Sequence, residues 1–82
     1  MITREEARER ISGHVVLLLE KHGMSQSDLA RRSEVASPRI TLLCRGELLP
    51  NPADLWNVAE ALGTTLDGLM RPLPALAGHA HR

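Results

Sequence analysis

The chain has 82 residues, with ten Lys and Arg against ten Asp and Glu, one cysteine, one tryptophan and neither Phe nor Tyr. A chain this short suits one domain with a modest core, for which self-association is a common remedy; its lone cysteine excludes an internal disulfide, no Cys–His spacing fits zinc, and the longest apolar run, 15–19, falls far short of the roughly 20 residues a membrane span needs. Zero net charge speaks against a strongly basic footprint, and a single aromatic leaves no stacking platform for single strands, so any nucleic-acid partner is expected to be duplex.

Thr3, followed three residues later by Glu6, has the signature of a capping box. Ala7, Ile11, Val15 and Leu18 then recur at helical spacing and predict a first helix over 4–22. Gly13 weakens it by ~1 kcal/mol relative to Ala, and Gly23 offers a stop. Ser25 caps a second helix, 26–33, with Asp28 in its first turn beside the positive end of the helix dipole and Leu29 and Ala30 inward. A brief turn, 34–36, leads to a third helix, 37–45, for which Ser37 is the expected cap, Pro38 the first residue, and Ile40 and Leu43 the inward face. Gly46 ends it.

Asn51 caps and Pro52 opens a fourth helix, 52–62, in which Leu55, Val58, Ala59 and Leu62 form an apolar stripe before Gly63. Thr65 caps a short fifth helix, 66–70, with Leu66, Leu69 and Met70. Residues 71–82, RPLPALAGHAHR, lack periodicity and read as a flexible tail that a partner would order. No stretch alternates long enough to make a strand. The expected fold is all-α, a compact five-helix body over 1–70 followed by the tail.

Two short helices joined by a three-residue turn make a helix-turn-helix, and 26–33, 34–36 and 37–45 fit that plan. Three segments stand in order around it: GMSQSDLARRSEV, SPRITLLCRGELLP and LWNVAEALGTTLDGLM. They carry a Ser-Gln-x-x-Leu-Ala start, a Gly-x-x-x-Pro after the third helix and an Ala-x-x-Leu-Gly in the fourth. On these motifs the chain, from Leu17 to Met70, resembles the lambda-repressor/Cro-like (XRE-type) helix-turn-helix DNA-binding family.

The resemblance implies that the third helix lies in the major groove, with residues near its N-terminus at the base edges. By position, Ser37, Pro38, Arg39, Thr41 and Leu42 would face DNA, and Arg45 adds the helix's second positive charge. Gln26 would cap the second helix over the backbone, its amide on a phosphate. Arg39 is the candidate base reader, since a guanidinium bonds bidentately to guanine O6 and N7; a phosphate contact or a solvated charge is the alternative. Thr41 and Leu42 would meet thymine methyls.

Three departures from the family pattern stand out. Many members pair an Arg in the first helix with a Glu near the end of the third, and here Leu19 and Cys44 stand in those places. Exchanging a whole ion pair for packed apolar groups is often neutral or stabilising, whereas losing one partner costs about 3–5 kcal/mol. Cys44 then reads as a small buried hydrophobe, with a redox switch as the sharper alternative. The turn position often held by Gly is Glu34, which a positive φ would strain by ~1–2 kcal/mol. The loop after the third helix offers Glu47, Leu48 and Leu49 where polar or basic residues often meet phosphates. One leucine is expected under the loop and the other in a subunit contact, with Leu48 the more exposed.

Trp56 is expected in the core, with a symmetric subunit contact beside the fifth helix as the alternative. The candidates for a dimer interface are thus Leu48, Leu49, Trp56 and Leu69. Arg4, Arg8 and Arg10 interleave with Glu5, Glu6 and Glu9, the pattern of a solvated, salt-bridged face. His14 and His22 read as surface residues; His79 and His81 read as solvated on the tail rather than as metal ligands. No phosphate loop, no His–carboxylate cluster and no activated nucleophile is present, so neither an enzyme nor a cofactor or metal is expected. A lone thiol, and an N-terminus opening on Arg and Glu rather than an apolar leader, suit the cytoplasm without membrane contact. The expected function is a sequence-specific duplex-DNA-binding transcriptional regulator, a repressor acting as a homodimer on an inverted-repeat operator. The alternative is a protein-binding module or antitoxin-like partner on the same scaffold, favoured by Leu42, Leu48, Leu49 and the neutral charge.

Overall fold

The computed structural model describes residues 1–74, which form five helices and no strand. The first helix, α1, spans Arg4–His22, and its start follows from its sequence. The Thr3 hydroxyl accepts from the Glu6 amide at 3.0 Å, and the Glu6 carboxylate accepts from the Thr3 amide at 2.9 Å. Ala7, Ile11, Val15 and Leu19, four residues apart, are the positions it buries. Past its last turn, the amides of Gly23 and Met24 bond back to the carbonyls of Glu20 and Leu19 and close the helix end.

The second helix, α2, is Gln26–Ser33 and opens on another capping box: the Ser25 hydroxyl accepts from the Asp28 amide at 3.0 Å, and the Asp28 carboxylate accepts from the Ser25 amide at 3.1 Å. Ser33 is the buried polar residue among those described, and it is satisfied. Its hydroxyl donates to the Leu29 carbonyl at 2.7 Å and accepts from the Val35 amide at 3.3 Å.

The third helix, α3, is Ser37–Cys44, and its cap departs from expectation. Ala36, not Ser37, is the N-cap: its carbonyl already accepts from the amides of Arg39 and Ile40 at 2.9 and 3.1 Å. Ser37 is therefore helical and Pro38 is the second residue, where a missing N–H still costs nothing because the first four amides of a helix have no internal partner. No side chain caps this end. The helix stops one residue earlier than expected, at Cys44, and Gly46 (φ 74°) takes the left-handed conformation that lets the Glu47 amide reach the Leu42 carbonyl at 2.9 Å.

The fourth helix, α4, is Pro52–Ala61, capped by Asn51, whose side-chain oxygen accepts from the Asp54 amide at 2.8 Å. The fifth, α5, is Leu66–Met70, capped by the Thr65 hydroxyl. α1 packs on α3 and α5, α2 packs on α3 and α4, and α4 packs on α5. Ile11, Val15, Leu29, Ile40, Leu43, Val58, Leu62 and Leu69 are the fully buried side chains at the centre of one shared core.

Polar side chains of α1 lock the last two helices by bonding carbonyls at their ends. Arg10 donates to the Met70 carbonyl at 3.1 Å, and the Nε2 atoms of His14 and His22 lie 3.0 and 3.2 Å from the carbonyls of Arg71 and Leu62. A carbonyl can only accept, so Nε2 is the donor in both contacts. Arg10 thus leaves the solvated face expected for it. Gly13 also has a packing reason: a Cβ there would stand 2.5 Å from the Leu73 side chain, so its absence lets the segment after α5 lie against α1. Residues 75–82 fall outside the described residues, and with them most of the expected tail, His79 and His81 included.

Candidate nucleic-acid interface

α3 divides cleanly into two faces. Ile40 and Leu43 point into the core, while Ser37, Pro38, Leu42 and Arg45 are exposed and Arg39 and Thr41 half-buried. Leu42 keeps 37% of its surface open. Gln26, at the start of α2, joins this surface: the Thr41 hydroxyl donates to its side-chain oxygen at 3.4 Å. That bond leaves the Gln26 NH2 free to donate outward. Three sequence-derived candidates thus converge, with Gln26 at the N-terminus of one helix and Thr41 and Leu42 on the next.

Arg39 has a partner that sequence reasoning missed. Its Nε donates to Asp54 Oδ2 at 3.1 Å, and its Nη2 lies 3.0 Å from the same oxygen in an ion pair. Asp54 itself lies in the first turn of α4. Nothing in a separation of 15 residues announces the contact. It arises because the loop after α3 returns the N-terminus of α4 beside the N-terminal half of α3.

The other ion pairs among the described residues are local and exposed, Arg31 with Asp28 and Arg71 with Asp67. The Ser25 amide, the Arg31 guanidinium and the Ser25 hydroxyl together hold the Asp28 carboxyl below the usual carboxylate range. No three His, Cys, Asp or Glu side chains gather as a metal site among the described residues. No helix there is long and apolar enough to cross a membrane.

A helix-turn-helix family model matches residues 17–69. The chain belongs to that family, the XRE-type, lambda-repressor-like helix-turn-helix proteins. It is therefore a DNA-binding transcription regulator of the XRE type, built on a domain that is typically non-enzymatic. Searches of curated proteins and of solved structures find no match.

Within this XRE-type domain the departures resolve as follows. Leu19 is buried in the core and Cys44 packs against it. Burial pushes the Cys44 thiol up, which disfavours the reactive thiolate and fits a packed small hydrophobe. Glu34 does adopt the left-handed conformation, φ 60° and ψ 27°, as the one described non-glycine residue with positive φ.

The dimer candidates need correction. Leu69 is fully buried inside its own subunit and is not available for a contact. Leu48 is half-buried against the core, and Leu49, at 38% exposed, is the outward one, the reverse of the expectation. Pro50 is buried at the end of the same loop. Trp56 is not core: it is 55% exposed and lines a cleft of about 380 Å³ with Ala59, Thr64 and Leu66 among others. The reason is register. Trp56 stands one residue, about 100°, beyond Leu55 and so off the buried stripe.

Proposed function

We propose that the protein is a repressor that binds an inverted-repeat duplex operator as a homodimer in the cytoplasm. The observation that carries this reading is the outward face of α3: Ser37, Pro38, Arg39, Thr41 and Leu42 are exposed or half-buried along its first six residues, while Ile40 and Leu43 anchor the helix to the core. In the reading, α3 enters the major groove. Arg39 bonds guanine O6 and N7, Thr41 and Leu42 meet thymine methyls, Gln26 donates its amide to a phosphate, and Arg45 supplies a second phosphate contact. Trp56 and Leu49 are the apolar side chains left for a subunit contact. Two-fold symmetry sets the half-sites about one turn, roughly 34 Å, apart.

A protein-binding role on the same scaffold is the second reading, favoured by the exposed Leu42 and Leu49 and by the zero net charge. Selection of bound sites from random duplex DNA separates the two. Enrichment of an inverted repeat, weakened by Arg39→Ala at one position of each half-site, is the expected result. Failure to enrich any sequence, even at low salt, would sink the operator reading in favour of a protein partner.

A further inference from the structure

The Arg39–Asp54 pair has a geometry that bears on sequence reading. A guanidinium presents two bidentate edges: a side edge, made by Nε and Nη2, and an end edge, made by Nη1 and the outer hydrogen of Nη2. Asp54 takes the side edge with a single oxygen, at 3.1 and 3.0 Å. The end edge keeps two parallel N–H groups, the pattern that matches guanine O6 and N7. Arg39 is still 41% exposed and Asp54 only 23%, so the guanidinium is the more open partner of the pair.

Asp54 is itself held in place. Its amide is bonded to the Asn51 side-chain oxygen at 2.8 Å, and the Asn51 NH2 donates to the same Oδ2 at 3.4 Å. Its charge also sits in the first turn of α4, where the helix dipole favours an anion. The cap of α4 thus fixes the carboxylate, and the carboxylate fixes the arginine on α3.

We infer that Asp54 is a positioning and specificity-determining residue, which holds Arg39 for end-on reading of one guanine in each half-site. The inference rests on the reading that α3 enters the major groove. Two physical effects follow from the arrangement. A side chain ordered in advance loses less rotamer freedom on binding, which favours the correct base. A carboxylate beside the groove repels phosphates, which weakens binding to unrelated duplex. Both raise the ratio of specific to non-specific affinity. A half-exposed ion pair contributes little to folding, so the pair's main effect is on recognition rather than stability.

The test is site selection on random duplex DNA with the wild type, Asp54→Asn and Asp54→Glu, followed by titration of the selected site and of variants at the guanine position. Asp54→Asn leaves the Asn51 cap on the Asp54 amide in place, and Asp54→Glu restores a carboxylate. The wild type should enrich a guanine in each half-site. Asp54→Asn should cut the preference for that guanine by about tenfold, bind unrelated duplex more tightly, and leave preferences at the other positions unchanged. Asp54→Glu should recover part of the preference. A guanine preference that survives Asp54→Asn, a wild-type site without that guanine, or a rise in affinity equal for specific and unrelated duplex would each overturn the role of Asp54 alone. Wild-type selection that enriches nothing would overturn the operator reading, and the inference with it. A melting temperature lowered by more than about 10 °C in both variants would make the pair a structural clamp and overturn the inference as well.

Discussion

The surface built by α2 and α3 and the surface built by α4 and α5 differ in how their side chains are held. On the first, polar groups are tied across helices: Thr41 to Gln26 of α2, and Arg39 to Asp54 at the start of α4. On the second, the exposed Trp56 lines a cleft with Ala59 and Leu66, and among the described residues no side-chain hydrogen bond holds it. The difference teaches what each surface suits. Pre-ordered donors match a rigid, polar partner whose hydrogen-bonding groups sit at fixed spacing, as duplex DNA does. A large exposed aromatic gains most from another apolar surface, which a second copy supplies.

Crossed substitutions break the comparison most sharply and carry the largest expected effects. Trp56→Glu should raise the dimer dissociation constant by about 30-fold or more, the scale of a buried aromatic anchor of ~2 kcal/mol, and should weaken operator binding only through the lost dimer. Arg39→Ala should leave the dimer intact and cost about 1–3 kcal/mol of operator affinity per half-site. Sedimentation across concentration and operator titration read the two independently. If Trp56→Glu leaves self-association untouched, the α4–α5 surface is not the subunit contact.

Salt dependence gives a smaller and broader check on the polar face. With a net charge of zero and about two to four phosphate contacts per subunit, the slope of log affinity against log salt should fall near −4 to −7, below the roughly −10 of a strongly basic repressor. A slope near −10 would mean that phosphates outside the α2–α3 face carry the binding.

Glu34 tests the hinge between the two polar helices. A glutamate held at φ 60° is strained by ~1–2 kcal/mol, and glycine relieves this while adding unfolded-chain entropy of about half that size. Glu34→Gly should therefore stabilise the domain by about 0.5–1 kcal/mol and raise Tm by a few degrees. The selected operator should stay the same. Destabilisation on thermal unfolding would mean that the glutamate side chain makes a contribution its exposed position conceals.

What was legible in the sequence follows from the range of the forces involved. Caps and apolar spacing act over three or four residues, so the helices could be placed from Thr3–Glu6, Ser25–Asp28 and the Leu55–Leu62 stripe. The start of α3 falls one residue before the expected cap because the backbone turns at Ala36, which has no side-chain acceptor to announce a cap, whereas Ser37 is the residue type that does. Trp56 was misplaced by residue type, although its register off the stripe was readable. Leu48 and Leu49 lie in a loop, where no period tells inward from outward. The Arg39–Asp54 pair was out of reach altogether, because it joins two helices through the path of that loop.

Asp28 supplies the smallest expected effect and a last control on the polar helices. Its carboxyl accepts from the Ser25 amide and from Arg31, and these partners hold its pKa below the unfolded carboxylate value. A group with a depressed folded pKa contributes stability that is fully present above its unfolded pKa, near pH 4, and is lost as the pH falls through the folded value. Asp28→Asn removes the charge at every pH. Urea unfolding should thus find the wild type slightly more stable than the variant at pH 6, and the gap should close as the pH falls below the unfolded carboxylate value. A gap of equal size at both pH values would trace the effect to side-chain shape at the α2 cap, leaving its charge without a part. Arg31 remains largely exposed, so solvent screens the pair and the gap should also narrow with added salt.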